Sequence, residues 1–432
     1  MVTNFRKLDF YSYICIMKRI MTIICFLASA ALAFSQIASD TNYNDDVKTV
    51  VLAPLETKMG DAYSDNGGAF TLTFDILWPQ PYHLRYRIRH CDAEWRPDGL
   101  EESEFLSGPS EGSIDDYLSS FTTRREYIHY SLDFPSQYSY FTASGNYIIE
   151  VYPETSTDSI LLVRRFRVYE EAVDIDLELG KPSGAYGNIN RDQQVNVGVT
   201  PRRGSFLANQ NSYYKVCIQQ NRREDLCRWL DFSGYGGTTM RYEWSDKNVF
   251  AGGNHFRYFD LSNLWAAMYH VQRIEQWGGE TFAFLQPDED RSRKPYTQYN
   301  SLNGGMKVNI RERENPDIEA DYVWVNFSLP MERPLLGGSI HIIGDLTQWR
   351  YDDASRMEWN AQYKAYTKRM LLKQGYYSYQ LLFLPAGSPE GLTATIEGDH
   401  YAMPNAYSVY VYYRSPGAPY DRLVGIRREV FR

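Results

Sequence analysis

The sequence predicts an all-β protein, with three β-sandwich domains in series after a signal peptide. Three observations lead there. The chain has 432 residues, more than one ordinary hydrophobic core accommodates, so two or three domains of about 100–200 residues are expected. Aromatic side chains make up 15% of it, with 36 Tyr, 21 Phe and 9 Trp, and these favour strands over helices. Long helical runs rich in Ala, Leu, Glu and Lys are missing, whereas short period-two segments recur between turn-forming residues. The net charge of −9 argues against nucleic acid or an anionic membrane surface as a partner.

Residues 1–35 read as the signal peptide. Lys18 and Arg19 precede an apolar run over 20–33, and Ala33 and Ser35 fall three and one residues before a cut at Gln36. A start at Met17 would supply the same leader. The run of about 14 residues is short of a membrane span, so no direct span is expected. Its removal takes Cys15 and Cys25, together with more basic than acidic residues, so the mature chain is more acidic still. Cys91, Cys217 and Cys227 remain, an odd number that cannot all pair within one chain. Cys217 and Cys227 are close enough in sequence to pair across a hairpin, but nothing in the spacing sets their register. None stands at the mature N-terminus, so a lipid anchor is not expected.

The first domain is placed at 47–172. In GGAFTLTFDILW, Phe70, Leu72, Phe74 and Ile76 point inward while Thr71, Thr73 and Asp75 point outward. YHLRYRIRHC follows as a half-buried strand with Leu84, Tyr86, Ile88 and His90 on one face and Arg85, Arg87 and Arg89 on the other. A long structured loop leads to IDDYLSSFTTRREYIHYSLDFP, and SGNYIIEVYPE and SILLVRRFRVYE complete the domain. The middle domain, 173–315, repeats this grammar in VDIDLELG, QQVNVGVTP, SYYKVCIQQ, TTMRYEW and FAGGNHFRYFDL. NLWAAMYHVQRIEQW suits helix and strand equally, and the mixed-charge DEDRSRK run reads as a solvated loop. The last domain, 316–420, contains DYVWVNFSLP, SIHIIGDLTQW, the hairpin AYTKRMLLKQGYYSYQLLFLP and a final strand, YSVYVYYRSP.

Catalytic chemistry finds little support. His90 and Cys91 would point to opposite faces of a strand, and no CxxC, HxH or HExxH accompanies them, so a packed histidine and a structural thiol are expected. Asp115-Asp116 and Glu101-Glu102 lack the loop spacing of a calcium site. Gly252-Gly253-Asn254 and Gly304-Gly305 form neither a dinucleotide fingerprint nor a phosphate loop and read as turns. No metal, no cofactor and no catalytic residue is expected. The arginine face is the candidate for partner binding: three guanidinium groups on one strand face suit carboxylates, unless nearby Asp and Glu satisfy them.

Two resemblances add a function. In the last domain, Gly344-Asp345-Leu346-Thr347-Gln348-Trp349 and Leu372-Lys373-Gln374-Gly375-Tyr376-Tyr377-Ser378-Tyr379 resemble the turn and hairpin of early-set immunoglobulin-like modules. Some of those bind carbohydrate through stacked aromatics, for which Trp349 and Trp359 would be the candidates. A periplasmic or surface carbohydrate-binding protein is thus the alternative reading. Along the whole chain, YRIRHCDAEW at 86–95, IDDYLSSFT at 114–122, SGNYIIEVY before Arg164-Arg165-Phe166, QQNRR at 219–223, GGNHFRYFD at 252–260 and LLKQGYYSYQ at 371–380 resemble the plug proteins of the type IX secretion system of Bacteroidota. His255 departs from the acidic residue expected there. This resemblance implies a non-enzymatic periplasmic protein that binds the mouth of the large outer-membrane β-barrel translocon as a monomer and closes the idle pore. A stiff, elongated stack of sandwiches would suit that task.

Overall fold

The computed structural model describes residues 37–205, 207–298, 301–311 and 313–431. The expected leader, 1–35, lies outside them. The period-two segments pair into sheets that face one another in three sandwiches. In the first, one sheet runs in the order Thr41–Asn42, Leu162–Tyr169, Gly145–Pro153, Leu84–Cys91, Glu111–Ile114. The facing sheet contains Val47–Pro54, Phe70–Ile76, Ile128–Phe134 and Asp116–Ser119. Phe70, Phe74, Tyr130, Phe134, Tyr147 and Phe166 fill the space between. Their rings meet edge-on, tilted or offset, as Phe70 meets Phe166 at 4.8 Å, the arrangement that ring quadrupoles favour.

In the second sandwich, Val173–Gly180, Asp192–Pro201, Gly234–Gly236, Thr239–Tyr242 and Val249–Ala251 face a sheet ordered Cys227–Trp229, Tyr214–Gln220, Ala406–Tyr413, Arg422–Val430. In the third, Arg257–Asp260, Met306–Val308, Gly338–Ile343 and Gly375–Pro385 face Val271–Trp277, Glu280–Leu285, Tyr322–Pro330, Ala365–Lys373 and Glu358–Asn360.

All-β sandwich structure is thus what the chain adopts, but its path differs from the expected division. Ala406–Tyr413, read as the last strand of the last domain, pairs along its length with Tyr214–Gln220 in the second sandwich. Arg257–Asp260, Val271–Trp277, Glu280–Leu285 and Met306–Val308, read as part of the middle domain, belong to the third. The third sandwich is therefore inserted between Val249–Ala251 and Ala406–Tyr413 of the second. Alternation shows that a strand is buried, not against which sheet it is buried. Ala406–Tyr413 is buried on both faces, so it carries no alternation to read. The ambiguous 263–277 segment resolves as a turn followed by the strand Val271–Trp277.

The chain crosses from the second sandwich to the third through Gly252 to Phe256 and returns through 397–405, the two passing side by side. Gly252 is required by proximity: a Cβ there would lie 2.2 Å from the His400 carbonyl oxygen and 2.6 Å from that of Arg191. Asn254 Nδ2 donates to the Glu397 carbonyl at 2.7 Å, and Asn405 Nδ2 donates to that of Gly252 at 2.7 Å. The mixed-charge run is not simply solvated. Asp288 and Arg291 are buried beside this crossing, where Arg257 pairs with Asp288 and Glu397 at 2.9 Å and Arg291 pairs with Glu397. Opposite charges from three separated segments offset one another's burial cost.

Each sandwich touches the other two, which overturns the elongated stack. Between the first and second, Tyr412 donates to Asn146 Oδ1 at 2.8 Å, the Ala93 N–H donates to Asp421 at 3.1 Å, and Arg422 pairs with Glu170. Between the first and third, Asp75 points out of its own sheet, as its alternation implies, yet is wholly buried. Lys373 Nζ and the Tyr322 hydroxyl donate to its Oδ2 at 2.6 Å each, and His129 Nδ1 lies 2.7 Å from its Oδ1. The Lys373 ammonium also lies 4.3 Å from the centre of the Tyr127 ring.

Candidate partner-binding surface

Leu84–Cys91 alternates in the structure as in the sequence. Leu84, Tyr86, Ile88 and His90 enter the core, while Arg85, Arg87 and Arg89 stand on the outer face of the sheet. The neighbouring strand, Gly145–Pro153, sets Glu150 opposite Arg87 and Tyr152 opposite Arg85. Glu150 ion-pairs with Arg87 and lies 3.4 Å from Arg89 Nε. The Arg87 guanidinium also lies over the Tyr152 ring at 5.3 Å. One buried carboxylate thus serves two arginines, and Arg85 has no ion pair among the described residues. Arg87 is anchored, whereas the Arg89 side chain is 44% exposed.

The same outer face continues across the sheet. Ile148 sits between Arg89 and Arg165, and Asn146 between Cys91 and Arg167. Arg165 and Arg167 alternate with Phe166 and Val168 in LVRRFRVY, the same period-two signal that singles out Arg85, Arg87 and Arg89. Sequence reasoning passed over them because a strand's neighbours two strands away are not written in its own pattern. Both guanidinium groups lie 4.6 Å from the centre of the Trp95 ring.

The remaining candidates have structural partners. His90 Nδ1 is 2.6 Å from Asp98 Oδ2, and its Nε2 is 3.2 Å from the Ser144 carbonyl oxygen. Cys91 is buried, and burial pushes its thiol pKa up, away from the reactive thiolate. Glu101 caps the short helix Glu102–Phe105, its backbone N–H donating to Glu104 at 2.9 Å. Asp116 begins an exposed edge strand, Asp116–Ser119. Cys217 and Cys227 are joined as a disulfide between neighbouring strands, Cα atoms 6.4 Å apart. His255 is buried with its Nε2 2.6 Å from the Tyr296 hydroxyl, and burial with the Arg291 charge lowers its pKa.

Of the two sugar-stacking candidates, Trp349 is buried and Trp359 is half-buried. Trp349 is 7% exposed, packs on Phe256 and donates from Nε1 to Asp345 Oδ1 at 2.7 Å. Gly304 lies beneath it at φ +84°, where a Cβ would be 2.3 Å from the indole. Trp359 packs against Tyr366, with ring centres 5.1 Å apart, on the third core.

Together these features define a three-sandwich, all-β protein whose first sandwich carries an arginine-bearing outer face. No curated protein sequence matches the chain. Residues 47–170 match the family described as Type 9 secretion system plug protein 1st domain. Residues 47–170 are therefore similar to the first domain of type IX secretion plug proteins, a family described by its place in secretion and not by an enzymatic activity. Over its length it is similar to the crystal structure of a hypothetical protein from Parabacteroides merdae ATCC 43184. The two share 29% identity and a TM-score of 0.88 over 92% of this chain and 100% of the other. The family supports a role in type IX secretion and association with the cell envelope. Among the described residues, no helix is long and apolar enough to cross a membrane.

Proposed function

We propose that the protein is a non-enzymatic stopper that binds the periplasmic mouth of the large outer-membrane β-barrel translocon of type IX secretion and closes the idle pore. The observation that carries this reading is the plug first-domain match over 47–170, a segment that contains the whole arginine face. A body in which each sandwich touches the other two supports an obstructing role, because displacing one must break contacts with both neighbours. The protein acts as a monomer on the translocon, peripheral to the outer membrane. Arg85 and Arg89 meet carboxylates or carbonyls of the barrel rim, a use for which the planar guanidinium is suited.

The test is co-purification from detergent-solubilised outer membranes. A very large barrel protein should be retained by the tagged wild type, and Arg85→Glu with Arg89→Glu should weaken that retention. Arg87 is left in place because Glu150 depends on it. Unchanged retention would remove this face from the interface, and absence of any barrel with the wild type would sink the plug reading. Loss of the gene should leave the envelope permeable.

A further inference from the structure

Where the three sandwiches meet, a cleft of about 560 Å³ opens, within the usual range of ligand pockets. Its lining comes from all three sandwiches and includes Trp95, Arg165 and Arg167 of the first, Tyr410 of the second and Arg350 of the third. Four carboxylates, Asp40, Glu94, Glu224 and Asp225, lie in the same lining, and each has a cationic partner other than Arg167. Glu224 pairs with Arg165 at 3.0 Å and Asp40 with the same arginine at 3.7 Å. Glu94 pairs with Lys215 at 3.0 Å, and Asp225 with Arg223. Arg350 in turn pairs with Asp352 at 3.2 Å. Arg167 hydrogen-bonds Tyr412 and lies in the field of Glu224, but it makes no direct ion pair among the described residues, and its Nε is buried without an acceptor. Its guanidinium is held between aromatic rings, 4.6 Å from the centre of Trp95 and 3.9 Å from that of Tyr410. A half-buried guanidinium whose Nε–H has no acceptor is free to take one from a ligand, and leaving that bond unmade is costly.

We infer that this cleft is a binding site for a carboxylate carried by an extended peptide segment, with Arg167 as the receiving group. A single charge fits better than a phosphate dianion, because the four lining carboxylates repel a second one. The ring-clamped guanidinium is already oriented, so little side-chain freedom is lost when the carboxylate arrives. The aromatic walls suit an apolar or flat side chain next to it. The arginine face of Leu84–Cys91 leads into the cleft across the same sheet, so the chain of the peptide can lie along it. A ligand here touches all three sandwiches at once. The site does not depend on which membrane protein the chain obstructs.

The test uses arrays of short random-sequence peptides of three kinds: neutral with a free C-terminal carboxylate, amidated with Asp or Glu inside, and amidated without acidic residues. Full-length mature protein should be retained by one or both of the first two and not by the third, which also tells a chain end from a side chain. Arg167→Gln, with its fold checked by circular dichroism, should weaken retention by roughly tenfold or more. Equal retention on all three arrays, retention on none, or full retention by Arg167→Gln overturns the inference. The wild-type comparison decides the matter even if that variant does not fold.

Discussion

Asp75 shows how far a single residue can be read from its neighbours. Period two places it outside its own core, and it is, but the third sandwich closes over it. Its carboxylate then needs Lys373, Tyr322 and His129, residues more than fifty positions away or on another sandwich. Lys373→Met should therefore destabilise the protein by about 3–5 kcal/mol, because it strands a buried charge. Asp75→Asn added to it should recover part of the loss, as read in denaturant titrations. His341 gives a pH signature. Its ring nitrogens each lie 2.8 Å from a serine hydroxyl, Ser355 and Ser339. Burial, helped by the Arg356 charge, lowers its pKa to about 4 from 6.5. The unfolded chain then takes up a proton before the folded one does. Stability should fall as pH drops from 6.5 toward 4 and stay flat above 7 with respect to this group. His341→Gln should flatten that slope, measured as melting temperature against pH.

At the scale of elements, strands were legible and their partners were not. Leu84–Cys91 and Phe70–Ile76 each turn one face to a core and the other out of their sheet, as their alternation implies, although Thr71, Asp75 and Cys91 on the outer faces are buried as well. The hairpin holding Cys217 and Cys227 left its pairing open until the register of Tyr214–Gln220 against Cys227–Trp229 was known. A bridge with a sequence separation of 10 restrains a short loop. Replacing both cysteines by serine should cost about 2–3 kcal/mol, seen as a lowered midpoint in urea. The crossing at Gly252 is the other sensitive element. Gly252→Ala sets a methyl against two backbone carbonyls that cannot move aside, so a loss of several kcal/mol or failure to fold is expected, measured by soluble yield and thermal melt.

For the molecule as a whole, nesting has a direct consequence. The second sandwich takes half of one sheet from Ala406–Tyr413 and Arg422–Val430. A fragment ending at 315 lacks those strands and leaves Val216, Ile218 and Val195 without their cover. It should be unfolded or aggregated by circular dichroism and limited proteolysis, whereas three domains simply in series would leave its first two intact. The first sandwich, 37–172, closes its own core and should fold by itself.

By itself the sequence determined what each short segment would be. Aromatic and β-branched residues at period two make strands, and the positions of Arg85, Arg87 and Arg89 on one face follow from that period alone. It also carried, within 47–170, the segment that matches the first domain of type IX secretion plug proteins. Only the tertiary structure decided which strands share a sheet, that the third sandwich sits inside the second, and that Arg165 and Arg167 extend the arginine face to a junction of three bodies. The reason is physical: alternation is a local property of one chain segment, whereas a strand's partner is chosen by the fit of surfaces hundreds of residues apart.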